Sequence, residues 1–103
     1  MPFTASTFQP IGGQARSGTG PAAAPGAPQL WSYRTDDAPT VVDTSGYFNA
    51  VASLLEVGDL IYRITVNASG AIVSAGWHVV VSKTAAGVVD VSDTTALSIT
   101  NTD

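Results

Sequence analysis

The sequence predicts an all-β or β-rich α+β fold: a small antiparallel β-barrel or sandwich with one short helix, preceded by a long extended N-terminal arm. Three observations predict it. Prolines and glycines crowd into residues 1–30, where Arg16 is the one charged side chain. Downstream, runs rich in Val, Ile, Tyr and Trp alternate with short turn segments. Only one stretch of the chain has helical apolar spacing.

The chain has 103 residues, a length that suits one domain with an appended arm. Residues 1–30 form the expected arm. Pro2, Pro10, Pro21, Pro25 and Pro28 fix φ and remove backbone donors. Residues 17–28 read as extended or polyproline-like coil. By composition the arm should be disordered in isolation, yet it carries Phe3, Phe8 and Ile11. A solvated linker rarely holds such residues, so these three are the expected partner-binding anchors. The surface that takes them is expected on a neighbouring chain, the alternative being the arm's own domain.

Residues 31–103 form the expected compact β-rich domain. Leu30, Trp31 and Tyr33 open it as a strand, residues 34–39 turn, and residues 40–43 make a short strand. Residues 45–56 are the expected helix. Phe48, Val51, Leu54 and Leu55 fall on one stripe, Thr44 or Ser45 can cap the start, and Gly58 follows the end. Strands are expected over 59–66, with Leu60, Tyr62, Ile64 and Val66 sharing a face, and over 71–82, bent at Gly76. Two more are expected over 88–91 and 96–99. Turns at 67–70 and 83–87 separate them. Short connections favour an antiparallel sheet, since one helix offers little for parallel crossovers.

Composition narrows the function. With no cysteine, disulfides and Cys-based zinc sites are excluded. The cations Arg16, Arg34, Arg63 and Lys83 are scattered and the net charge is −4, so no nucleic-acid partner is expected. No apolar run is long enough to span a membrane, and the N-terminus does not read as a secretory signal.

Chemistry-bearing residues are sparse. His78 is the sole histidine, and no nucleophile-elbow pattern surrounds Ser74 or Ser82. With Asp90 they could compose a triad only by chance, so no enzyme activity is expected. Asp36 and Asp37 could ligate calcium but read as solvated turn residues. Asp90 and Asp93 do not match an EF-hand loop, and Gly18 to Gly20 lacks the rest of a dinucleotide fingerprint. No metal or cofactor is expected. The run Asn67-Ala68-Ser69 matches a glycosylation acceptor and reads equally as a hairpin turn. Trp31, Tyr33 and Trp77 could stack on sugars, although a domain this small needs such side chains inside. A body of this size has a marginal core, which gives oligomerisation a physical motive; a homotrimer or attachment to a large scaffold is expected, the trimer suiting a three-fold junction.

The segments Trp31-x-Tyr33, Thr35-Asp36-Asp37, Gly46-Tyr47-Phe48 and Leu54-Leu55-Glu56-Val57-Gly58-Asp59-Leu60-Ile61 together resemble small virion proteins of tailed bacteriophages. The resemblance covers about residues 31–66, with weaker agreement through residue 100. It implies no catalytic residues and a structural role in the particle. That role is a capsid decoration (cement) protein on the outer head surface, partnered by the major capsid protein or another virion protein. A tail, spike or fibre component is the alternative, and a small carbohydrate-binding module is a rival from another class.

Overall fold

The computed structural model describes residues 3–12, 16 and 18–102. It is a β-rich α+β domain built on six strands: β1 (Phe8–Ile11), β2 (Leu30–Thr35), β3 (Leu60–Val66), β4 (Ile72–Lys83), β5 (Val89–Val91) and β6 (Thr95–Leu97). The order is β1-β2-β3-β4-β5, and β6 also pairs with β4. The sheet does not close into a barrel, and it is mixed rather than antiparallel throughout, because β2 and β3 run parallel.

The β2–β3 connection supplies the crossover that sequence reasoning did not find. It holds one short helix, α1 (Pro39–Val42), where a strand was expected. Thr40, Val41 and Val42 have strand propensity, but Pro39 takes the first helical position and Ala38 before it is extended. The amides of Val41 and Val42 then bond to the Ala38 carbonyl at 2.9 and 3.1 Å.

The helix expected over 45–56 is absent. Gly46 has φ +89°, a left-handed conformation that glycine adopts readily and that interrupts any helix. The segment is also tied sideways to β5. The Gly46 amide donates to the Val89 carbonyl, and the Val89 amide donates to Asn49 Oδ1 at 2.9 Å. What forms is a single 3₁₀ turn, Asn49–Val51. The apolar spacing still predicts burial correctly for Phe48, Val51 and Leu55, whereas Leu54 is exposed.

The β3–β4 hairpin carries most of the sheet. Its turn is fixed by Asn67 Oδ1, which accepts from the Ser69 and Ala71 amides. The register slips between Val80 and Ser82 where β4 passes from β6 to β5. Gly76 is required for space. A Cβ there would lie 2.8 Å from the Thr95 carbonyl oxygen and 3.0 Å from the Arg63 guanidinium.

The start of the chain belongs to this sheet. β1 pairs antiparallel with β2, placing Phe8 opposite Tyr33 and Ile11 opposite Leu30. Phe8 is buried and stacks on Trp31 with centroids 5.0 Å apart. Phe3 stacks on Tyr33 at 5.1 Å and meets Phe48 edge-on. The chain's own core therefore takes Phe3 and Phe8, in place of the neighbouring chain expected from composition. Two apolar rings next to a β-strand edge lower the free energy more by packing there than by waiting for a partner.

The crossover covers one face of the sheet, and the core lies between them. Trp31, Tyr33, Ile61, Val80 and Val91 from the sheet meet Val42, Phe48, Val51 and Leu55 from the crossover. The opposite face is open over Leu30, Tyr62, Trp77 and Val79, whereas Ile64 and Ala75 at its other end are buried.

Candidate functional site

Three features stand out: two buried polar centres under the covered face, and the open face itself.

The first centre is the Asp59 carboxylate, fully buried just before β3. It accepts both terminal nitrogens of Arg16 at 2.7 and 2.6 Å. It also accepts Trp31 Nε1–H at 3.0 Å and the amides of Gln29 and Glu56 at 3.0 and 3.2 Å. Burial pushes this carboxyl up, but the donors outweigh burial and hold it below the usual carboxylate range. The Arg16 guanidinium is raised in turn, chiefly by its hydrogen bonds to Asp59. Neither residue was singled out from sequence as a site. The signal lay in Arg16 being the one charge in an apolar arm.

The second centre is Arg63, fully buried on β3 and held by neutral partners. Its Nε donates to His78 Nε2 at 3.1 Å. One terminal nitrogen donates to Thr65 Oγ1 and Ser74 Oγ, the other to Thr94 Oγ1. Because His78 Nε2 accepts, Nδ1 carries the proton and donates to the Ser92 carbonyl at 3.0 Å. Both ring nitrogens are thus occupied and His78 is wholly buried. Ser74 bonds Arg63 rather than the imidazole, and Ser82 is exposed on β4. The structure does not assemble His78, Ser74, Ser82 and Asp90 into a triad.

This centre should make the fold acid-sensitive. Burial lowers the His78 pKa; the Ser92 bond opposes this, Arg63 adds to it, and Asp43 and Asp93 oppose it more weakly. An unfolded chain binds the proton near its ordinary value of about 6.5. Below that pH the unfolded state holds more protons than the folded one, so stability falls as pH falls toward the depressed folded value. The melting temperature should therefore drop between pH 7.5 and 5, and His78→Gln should flatten the slope. A flat profile for the unsubstituted protein would contradict a buried neutral imidazole.

Asp36 and Asp37 separate. Asp36 is exposed, but Asp37 is buried, which corrects the expectation of a solvated pair. Asp37 Oδ2 accepts Tyr47 O–H at 2.6 Å, and Tyr47 lies 2.7 Å from the Tyr33 hydroxyl. Burial first, and then the bond to Asp37, raise the Tyr47 phenol well above its ordinary range. Among the described residues no cluster of His, Asp and Glu is placed to hold a metal ion.

The third feature is the open face. Strand register sets Ile11, Leu30, Leu60 and Val79 in one row across four strands. Gln9, Ser32, Tyr62, Trp77 and Thr95 form the next row. Ile11, Leu30, Tyr62, Trp77 and Val79 are between 37% and 49% exposed. An apolar groove of about 210 Å³ runs between Ile11, Leu30, Leu60, Tyr62, Trp77 and Leu97. Of the three predicted anchors, Ile11 alone lies on this face. Of the three predicted stacking aromatics, Trp77 lies here while Trp31 and Tyr33 are core. Tyr62, which stands opposite Trp77, was not singled out as a site. The alternation Leu60, Tyr62, Ile64, Val66 does share a face, and it is the one away from the crossover, open at Tyr62 but closed over Ile64.

Comparison with family models, with curated proteins and with solved structures finds no match. The fold and its surface define a small β-rich α+β domain with one covered and one partly open sheet face.

Proposed function

We propose that this protein is a structural component of a tailed-bacteriophage particle, a decoration protein on the outer head surface that cements the shell. The observation that carries the reading is the open apolar face on a chain whose one histidine is locked in a structural hydrogen-bond network. Such a molecule is equipped to associate rather than to turn over substrate. The likeness of residues 31–66 to small virion proteins points the association toward a particle. Phe3 and Phe8 are not available as anchors, so contact with the shell falls to the exposed Gly/Pro segment. Pro21, Ala24, Pro25, Ala27 and Pro28 are all exposed there, and extended segments of this kind lie well along a neighbour's surface. Weak contacts of this sort gain from repetition on a symmetric shell.

The test is the copy number in purified particles, measured by quantitative mass spectrometry against the major shell subunit. Hundreds of copies are expected. Six or twelve would place the protein in the tail or at a vertex, and absence from particles would overturn the reading. A second reading, glycan binding, draws on the exposed neighbours Tyr62 and Trp77; quenching of Trp fluorescence by oligosaccharides would favour it.

A further inference from the structure

We infer that the open sheet face is closed by a second copy of this chain, packed face to face about a two-fold axis. The inference rests on reading that face as an association surface, and it names the occupant.

Area is the first argument. At their observed exposures, Ile11, Leu30, Tyr62, Trp77 and Val79, with the half-buried Leu60 and Leu97, leave roughly 500 Å² of apolar surface open, counting about 150–250 Å² for a large side chain. Two such faces hide roughly 1,000 Å², which is where specific interfaces begin. A partner with a polar surface would forfeit half of that apolar burial. A two-fold guarantees that apolar meets apolar, because each copy brings the same patch.

Charge is the second argument. The chain carries −4 overall, which opposes self-association wherever the acids face each other. The exposed apolar rows of this face hold no acid; the one acid at a strand position of this face is Asp90, between the core residues Val89 and Val91 on β5 and paired with Ser82 at the far end of β4. The other charge is Arg34, in the row of Ile64 and Ala75, at the end of the face away from Ile11 and Leu30. A two-fold through the centre keeps the two guanidiniums at opposite ends. Shape is the third argument. An open sheet presenting aligned rows is the half-structure of a sandwich, whose layers pack about 10 Å apart with rows interdigitating. A three-fold contact, the expectation for a junction on a shell, would leave part of each flat face uncovered.

Sedimentation equilibrium of the whole protein from 1 to 100 µM tests this, the range being about that of moderate homodimers. A dimer is expected. Val79→Glu and Trp77→Glu should each weaken it at least about 30-fold, the effect of losing a central interface residue. Both positions are exposed in the single chain, so far-UV circular dichroism should be unchanged. Leu54→Glu, exposed on the crossover side, should leave the dimer intact. A monomer at every concentration, a trimer, or a dimer insensitive to both face substitutions would overturn the inference. So would a dimer broken equally by Leu54→Glu. Particle copy number separates this from the virion reading. An abundant particle protein that is monomeric defeats the dimer alone, and a dimer missing from particles defeats the virion reading alone.

Discussion

Deleting residues 1–11 should abolish cooperative folding. The deletion removes Phe8, which stacks on Trp31, and Phe3, which stacks on Tyr33. It also strips the β1 ladder from β2, leaving β2 as a bare edge. Truncating one buried phenylalanine costs about 3–5 kcal/mol, and a domain of this size has only about 5–15 kcal/mol in total. Two rings and a strand together therefore approach the whole stability. Phe8→Ala alone should lower the melting temperature by roughly 12–24 °C, taking about 3 kcal/mol at 4–8 °C each. Ile11→Ala, on the open face, should cost less than about 1 kcal/mol. Thermal melts followed by circular dichroism decide the matter. A truncated chain that melts cooperatively within a few degrees of the full protein would mean that residues 1–11 are an appendage, as their composition suggests.

That contrast shows what the sequence can and cannot carry. The strands from Leu60 onward were legible because β-branched runs end at turn residues with local chemistry, such as Asn67 and Gly70. Local rules suffice where the pairing partner is the next strand. The parallel β2–β3 pair was not legible, because its register is set by a crossover whose one helix is a single turn. In the 45–56 segment the apolar stripe correctly marked Phe48, Val51 and Leu55 as core. It misjudged the backbone, because the competing bonds come from Val89, forty residues away from Asn49. The N-terminal segment failed for a related reason. Composition tells that a Gly/Pro-rich stretch cannot fold by itself, and Phe3 and Phe8 tell that it must be covered. Neither tells whose surface does the covering. On β3, the row Leu60, Tyr62, Ile64 looks like the core side, whereas the covered side carries Ile61, Arg63 and Thr65. A buried arginine held by His78 and three hydroxyls has no pattern in sequence, since its partners lie on β3 itself, β4 and the loop before β6.

The Asp59 centre should give the largest loss of any single substitution. Asp59→Ala removes the acceptor of Trp31 Nε1–H and of the Gln29 and Glu56 amides, and leaves the Arg16 guanidinium with the Ala27 and Leu54 carbonyls but no counter-charge at this site. Breaking a buried charged pair from one side costs about 3–5 kcal/mol, and the orphaned indole and amide donors add to it. The pH dependence follows from the depressed carboxyl. A folded value below the unfolded one means that the stabilisation is present above the ordinary carboxylate range, near 3.8. It is lost as pH falls through the folded value. This acid limb lies below the His78 limb, so Asp59→Ala should remove the lower one and keep the upper. Arg16→Ala is the discriminating comparison. It removes the charge that ties the N-terminal segment to β3 but leaves Asp59 with three donors. Arg16 is also partly exposed, so solvent replaces some of what is lost. Its cost, read from chemical denaturation, should be well below that of Asp59→Ala. Equal costs would mean that Asp59 acts only as the clasp for Arg16, and that its bonds to Trp31, Gln29 and Glu56 contribute nothing to holding the crossover on the sheet.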